Sequence, residues 1–143
     1  MKLLKWFLLA LYITGVVYVV FLAKRRQALV WHDDLVNVIP LKKTVEAYLS
    51  STTGTWNFFS NLYGNVLLFI PLPFFLMSIF RIYNRTAIIF TGLFISVLIE
   101  LVQYAWRIGV PDIDDVLLNV MGVWLGIYLW KNIVKSSSSQ KFF

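Results

Sequence analysis

The sequence predicts an all-α, polytopic membrane protein with about four transmembrane helices and a re-entrant or interfacial segment in the first long loop. Hydrophobic residues make up 59% of the 143 residues and charged residues only 14%, whereas soluble domains average about 45–50% and about 25%. Four apolar runs recur along the chain, and Lys or Arg residues stand at their ends, where they anchor helices to lipid headgroups. This composition excludes a soluble globular domain, a disordered chain and a fibrous repeat protein.

The first apolar run covers residues 3–22, with Lys5 as its only charge. About 20 residues at about 1.5 Å each span a hydrocarbon core of about 30 Å. A cleaved signal peptide is the alternative, but its apolar stretch would be about 7–15 residues long and would end at a small-x-small site. This run is longer and is followed by Lys24-Arg25-Arg26, so we expect a retained helix.

The second run, residues 62–80, contains Pro71 and Pro73 near its middle. Proline removes a helical hydrogen bond and collides with the preceding turn, so this helix should kink or break there. Lipid offers no hydrogen bonds to the freed carbonyls. We therefore expect a neighbouring helix to satisfy them, which implies a packed bundle.

The third and fourth runs cover residues 87–106 and 116–130. The fourth is short for a full span, so its helix is expected either to begin before residue 116 or to lie where the bilayer is thinner. Residues 1–135 then form a single membrane domain. Residues 136–143 begin with a serine run, and we expect them to be a disordered tail.

The long connection between the first two runs contains apolar residues at helical spacing. Val45, Tyr48 and Leu49 recur opposite Lys42 and Glu46. This pattern predicts a short interfacial or re-entrant segment that lies against the bundle. The alternative is a surface loop with apolar residues by chance.

Counting the spans places nearly every intramembrane polar residue in one leaflet. With four spans, the start of the second helix, the end of the third and the start of the fourth lie on the same side of the membrane. The candidate ligand-binding residues are those that converge there: Asn65, Glu100, Gln103, Arg107, Asp112, Asp114, Asp115 and Asn119.

Helical spacing sharpens this prediction on the third helix. Glu100, Gln103 and Arg107 follow at i, i+3 and i+7 and should share one face. A charged carboxylate at the depth of Glu100 costs about 2.5–3.5 kcal/mol on insertion scales. Glu100 should therefore face the bundle and be protonated, paired or hydrated, with Arg107 as the nearest basic candidate. The alternatives are an ion pair that fixes the fold and a polar binding pocket.

The fourth helix has a comparable face. Asp115 and Asn119 are followed by Gly122 and Gly126 at i+7 and i+11, and a small-xxx-small pair lets another helix approach closely. The acidic loop at residues 112–115 precedes this helix, and one of its carboxylates is expected to cap the helix.

The residue types exclude several kinds of chemistry. The chain has no cysteine and a single histidine, His32, which rules out disulfides, thiol chemistry and a multi-histidine metal site. The acidic loop could hold Mg²⁺ or Ca²⁺ through carboxylate oxygens. It lacks the glycine and the terminal Glu of a calcium loop, so we predict no metal and no cofactor. The net charge of +6 comes from helix flanks rather than from a basic face, which excludes nucleic acid as a partner.

The motifs resemble those of the VanZ-like family of small bacterial membrane proteins. The matching pieces are Asn37-x-x-Pro40, Asn65-x-x-x-Phe69-x-Pro71, Glu100-x-x-Gln103 and Asp112-x-Asp114-Asp115-x-x-x-Asn119-x-x-Gly122-x-x-x-Gly126. One departure is that Gly109 stands where the family usually has an Arg before the acidic loop, and Arg107 comes two residues earlier. The resemblance implies a link to low-level glycopeptide resistance, notably to teicoplanin, in Gram-positive bacteria.

The leading interpretation is a non-enzymatic module of the bacterial plasma membrane. An outward-opening polar pocket would bind an envelope lipid precursor, a lipoglycopeptide or a partner protein, with membrane lipids around it. The alternatives are a membrane enzyme that modifies an envelope lipid, with Glu100 or an Asp as general base and Arg107 steadying an anion, and a small transporter, for which four spans are few. The sequence specifies no oligomeric state and no catalytic residue.

Orientation follows from the charges on the two sides. One side has seven basic residues and no acid, and the other has six basic residues and all seven acids. The positive-inside rule counts Lys and Arg, and Lys24-Arg25-Arg26 favours the opposite placement. The short turn at residues 81–85 and both tails contain basic residues and no acid. We therefore expect both termini in the cytoplasm.

Overall fold

The structure is a computed structural model that describes residues 2–22, 36–49 and 54–139. The basic triplet at residues 24–26, His32 and residues 140–143 lie outside these ranges. The described elements are α1 (Lys2–Val17), which continues as a π-helical turn (Tyr18–Leu22), α2 (Lys42–Leu49), α3 (Gly54–Phe69), α4 (Pro71–Ser78), α5 (Arg85–Trp106) and α6 (Ile113–Ser139).

The all-α, membrane-spanning fold is confirmed. Among the described residues, three helical stretches are long and apolar enough to cross a membrane, namely Lys2–Leu22, Arg85–Trp106 and Ile113–Ile133. Leu62–Ser78 is a shorter apolar helical stretch. Large apolar side chains cover the outer faces, with Phe94 69% exposed, which suits a surface in contact with lipid.

The prolines break the second apolar stretch as predicted. Ile70 alone separates α3 from α4, and Pro71 occupies the first position of α4, where its missing N–H is not needed. Tyr12 on α1 donates its hydroxyl to the Leu68 carbonyl at 2.9 Å, and its ring stacks on Phe75. A neighbouring helix therefore provides a hydrogen bond at the break, where lipid provides none.

Two helix boundaries lie outside the apolar runs. α3 begins at Gly54, well before residue 62, and α6 begins at Ile113, as expected, but continues to Ser139. Helical backbone thus occupies the first part of the expected disordered tail. Hydropathy marks the part of a helix that lies in hydrocarbon, and polar helical turns beyond that part carry no such signal.

The predicted segment in the long connection is helical. Val45, Tyr48 and Leu49 on α2 are all exposed, and α2 contacts both α3 and α6. An exposed apolar face on a short helix held against a bundle is typical of an interfacial segment.

α6 is the central helix, and its glycines allow this. It contacts α2, α3, α4 and α5. A Cβ at Gly122 would lie 2.3 Å from the Val66 carbonyl oxygen, and a Cβ at Gly126 would lie 2.3 Å from that of Ile70. Both contacts are with backbone, which a side-chain rotation cannot relieve. The predicted close approach at these two glycines is confirmed.

We predict that Gly122→Ala destabilises the bundle by about 1–3 kcal/mol, since the new methyl group forces α3 away from α6. The measurement is the unfolding midpoint of the purified protein in detergent. Gly64→Ala on α3 is the matched control, because a Cβ there meets nothing within 4 Å. Alanine favours a helix over glycine, so the control should be unchanged or more stable. Equal midpoints for the two variants would contradict the close packing.

Candidate functional site

Asp112 joins three segments of the chain at the start of α6. Its Oδ1 accepts from the Asn37 side-chain amide at 2.7 Å and from the Asp114 N–H at 2.9 Å. Its own N–H donates to Glu100 Oε2 on α5 at 2.9 Å. Asp112 therefore caps α6, and the prediction that one carboxylate of the acidic loop has this role is confirmed. Asp112 also attaches α6 to α5 and to the segment before α2.

The segment before α2 is fixed by backbone and side-chain bonds. Asn37 forms a parallel β-bridge with Asp112, in which the Asn37 N–H donates to the Pro111 carbonyl and the Ile113 N–H donates to the Asn37 carbonyl, both at 3.0 Å. Leu41 adopts a left-handed backbone conformation (φ 64°), and its N–H donates to Asp114 Oδ1. The second carboxylate of the acidic loop thus holds the start of α2.

Asp115, the third carboxylate, connects α6 to α3. Asp115 Oδ1 accepts from the Asn65 side-chain amide at 2.7 Å. Asp115 is only 8% exposed, and a buried carboxylate needs such a partner. The carboxylates of Asp112 and Asp114 therefore hold the segment that leads into α2, and that of Asp115 holds α3.

Two more amides lie deeper, between helices. Asn119 Nδ2 on α6 donates to Ser96 Oγ on α5 at 2.8 Å, and Gln103 Nε2 donates to the Val20 carbonyl at 3.2 Å. Val20 lies in the π-helical turn of α1. Gln103 Oε1 and Asn119 Oδ1 are buried without a hydrogen-bond partner among the described residues. A buried acceptor left unpaired costs free energy. A donor that reached either of these oxygens would recover that free energy.

The helical face of Glu100 and Gln103 does not extend to Arg107, because α5 ends one residue earlier. α5 ends at Trp106, and Arg107 takes a left-handed conformation with φ 54° at the helix C-cap. Its N–H closes the helix on the Gln103 and Tyr104 carbonyls, and the residue is exposed. The structure thus brings together seven of the eight candidate residues in or beside the α5–α6 junction, with Arg107 at its solvent edge.

No group of three or more His, Cys, Asp or Glu residues within the described ranges is arranged to hold a metal ion. The aspartates direct their oxygens toward backbone and amide N–H groups in different segments, as given above. Their observed role is to accept hydrogen bonds.

An open groove of about 410 Å³ lies beside this polar cluster. Three polar residues border it, Asn37, Glu100 and Asp112, and each is at most 8% exposed. The remainder is apolar or aromatic and comes from α5 and from the two segments that Asp112 joins: Val36, Val38, Val97, Leu101, Tyr104, Pro111, Ile113 and Val116. Ligand sites commonly have about 300–1,000 Å³ and combine apolar walls with a few polar groups.

The sequence model of the VanZ/LLP1 family matches residues 9–135, which include every element that builds this site. The chain belongs to the VanZ/LLP1 family. Protein VanZ of Enterococcus faecium is 29% identical over 132 residues, which cover 90% of this chain and 74% of that protein. No solved structure matches the chain significantly.

Within this VanZ/LLP1 chain, sequence reasoning left two residues out of the candidate set. Asn37 was noted only as part of a family motif, yet it is 5% exposed and contacts Asp112. Ser96 is fully buried. With Glu100 and Gln103 it follows the i, i+4, i+7 spacing of one helical face, and that spacing was the signal that could have identified it.

We predict that Asn65 and Asp115 are energetically coupled. A double-mutant cycle of Asn65→Ala and Asp115→Ala, read by unfolding in detergent, should give a coupling of about 0.5–3 kcal/mol. The control cycle pairs Asn65→Ala with Thr91→Ala, because the Thr91 hydroxyl donates to the Ala87 carbonyl in its own helix, and its coupling should be near zero. Additive effects in the first cycle would remove this contact from the site.

Proposed function

We propose that this VanZ/LLP1 chain is a non-enzymatic module of the bacterial plasma membrane whose groove binds an amphiphile from the cell envelope. The ligand is a glycosylated envelope lipid or a lipoglycopeptide, and its capture contributes to low-level teicoplanin resistance. The observation that carries the proposal is the groove itself. Apolar walls from α5 and the α6 junction lead directly to Asn37, Glu100 and Asp112.

The polar end of the groove favours a particular type of headgroup. Glu100 and Asp112 border this end of the groove at 8% exposure each, and Asp114 and Asp115 lie beside them on the same junction. Carboxylates accept hydrogen bonds and repel anions. A head with hydroxyl, amide or ammonium donors suits this end, and a bare phosphate does not.

The apolar part of the groove suits a hydrocarbon chain. Leu101 and Val97 are 59% and 40% exposed, on a helix apolar enough to span the membrane. Their side chains therefore border lipid, and a chain could enter from the bilayer without crossing water. This arrangement supports a ligand that has both an acyl chain and a sugar or peptide head.

We expect Leu101→Trp to weaken teicoplanin binding about tenfold or more, which corresponds to about 1.4 kcal/mol, because indole fills the groove. The full chain in phosphatidylcholine nanodiscs is titrated with teicoplanin and with diglucosyl diacylglycerol. Leu98→Trp is the matched control, since Leu98 is on the same helix, is 47% exposed and does not line the groove.

Teicoplanin stripped of its acyl chain should bind much more weakly than the intact compound. Cells that produce the wild type or Leu98→Trp should tolerate more teicoplanin than cells that produce Leu101→Trp. If Leu101→Trp binds both ligands as the wild type does, the groove is not the binding site. A change in the mass of either ligand after incubation would instead indicate an enzyme.

The proposed orientation places the polar end of the bundle outside and both termini in the cytoplasm. The chain has no cysteine, so single cysteines can be labelled without background. Tyr48→Cys on α2 and Tyr83→Cys in the α4–α5 turn replace residues that are 70% and 64% exposed. A membrane-impermeant maleimide should label Tyr48→Cys in intact cells and Tyr83→Cys only after permeabilisation. The reverse result would place the groove opening in the cytoplasm.

A further inference from the structure

A second pocket lies at the other end of the bundle and has the opposite charge. It encloses about 360 Å³ between the first turns of α1 and the end of α4. Its lining is basic and aromatic: Lys2, Lys5, Trp6, Ser78, Ile79 and Arg81. α1 reaches from this pocket to the contact between Val20 and Gln103, so the two sites are separated by the length of a membrane-spanning helix.

The cations in this pocket have no carboxylate near them in the described part of the chain. The described acids all lie at the polar junction or on α2 beside it: Glu46, Glu100, Asp112, Asp114 and Asp115. Three positive charges around one cavity repel one another. An anion from outside the protein would relieve this repulsion.

Two contacts hold the pocket in shape. Lys5 donates its ammonium to the Ser78 carbonyl at 3.2 Å, which orients the amine at the end of α4 and leaves its other two N–H groups for a ligand. Trp6 packs edge-on against Phe80, with the ring centroids 5.7 Å apart. Tryptophan is enriched at the level of lipid headgroups.

The backbone of Arg81 adds an independent observation. Arg81 has φ 57°, a left-handed conformation that usually takes glycine or asparagine and is disfavoured for residues with a larger side chain. The Ile82 N–H then returns to the Leu76 carbonyl and ends α4. Glycine would fit this backbone position more easily, but the residue here is Arg81, whose guanidinium lies beside the pocket. The geometry of a guanidinium matches that of phosphate.

We propose that this basic pocket binds a phosphate group, presented by the headgroup of an anionic membrane lipid. The lysines neutralise the charge of the phosphate, and the Arg81 guanidinium donates to its oxygens. The acyl chains lie along the exposed apolar face of α1, where Leu3 and Phe7 are 86% and 65% exposed. This site is independent of the groove beside Asp112 and prefers the anionic head that the groove disfavours.

The test measures binding of phosphatidylglycerol to the detergent-solubilised full chain by native mass spectrometry, with phosphatidylcholine as a headgroup of zero net charge. Arg81→Asn and Lys5→Gln should each reduce phosphatidylglycerol binding about tenfold. Asparagine tolerates the left-handed conformation, so Arg81→Asn should keep the fold, as its unfolding midpoint will report. Arg85→Gln is the matched control, because it removes the same charge at the same end from a residue that does not line the pocket.

Inorganic phosphate separates the two sources of this chemistry. Displacement of the lipid by millimolar phosphate would show that the pocket recognises the phosphate alone, and retention of the lipid would show that the acyl chains contribute; both results support the proposal. Equal loss of binding in Arg85→Gln and Arg81→Asn would overturn it, because attraction would then be a property of the whole basic surface. Equal binding of the two lipids, or wild-type binding by both pocket variants, would also overturn it.

Discussion

The hydrogen bonds of Asp112 are the constraint on which this end of the molecule depends. A helix that starts inside or beside a membrane has N–H groups that neither lipid nor its own carbonyls can satisfy. Here one carboxylate oxygen accepts from the first turn of α6 and from Asn37, while the N–H of the same residue donates to Glu100. Because these bonds share one residue, α5, α6 and the segment before α2 cannot move separately. The apolar groove exists only between parts held in this way.

The packing of α6 sets the second constraint. Gly122 brings α6 against the Val66 carbonyl of α3, and Gly126 brings it against the Ile70 carbonyl at the break and the Pro73 ring of α4. A continuous helix would present one straight surface, whereas the break at Ile70 gives two short helices that both contact α6. The glycines and the prolines therefore act together. Close approach fixes the distance between helices, and the Asn65–Asp115 hydrogen bond fixes their register.

Much of this architecture could be predicted from the sequence because hydropathy, proline chemistry and helical spacing are local signals. They indicated the spans, the break in the second stretch and the buried face that runs from Asp115 to Gly126. The left-handed turns at Leu41 and Arg107 could not be predicted, since glycine or asparagine usually marks such positions and neither residue is present. The partner of Gln103 is a backbone carbonyl in a π-helical turn of α1, and no residue pattern indicates which carbonyl a distant helix will expose.

The residues that line the two cavities differ in charge, so the two proposed sites would take different ligands. Four of the five described carboxylates lie at the start of α6, where they accept hydrogen bonds from backbone and amide N–H groups: those of Glu100, Asp112, Asp114 and Asp115. Lys2, Lys5 and Arg81 line the cavity at the other end, and their charged groups are all hydrogen-bond donors. In the two proposals, a hydroxyl-rich head and a phosphate head are therefore distinguished by the sign of the charges that line each cavity rather than by its shape. Lys42 and Arg107 also lie near the acidic end, so the contrast is a property of the two cavities and not of the whole ends.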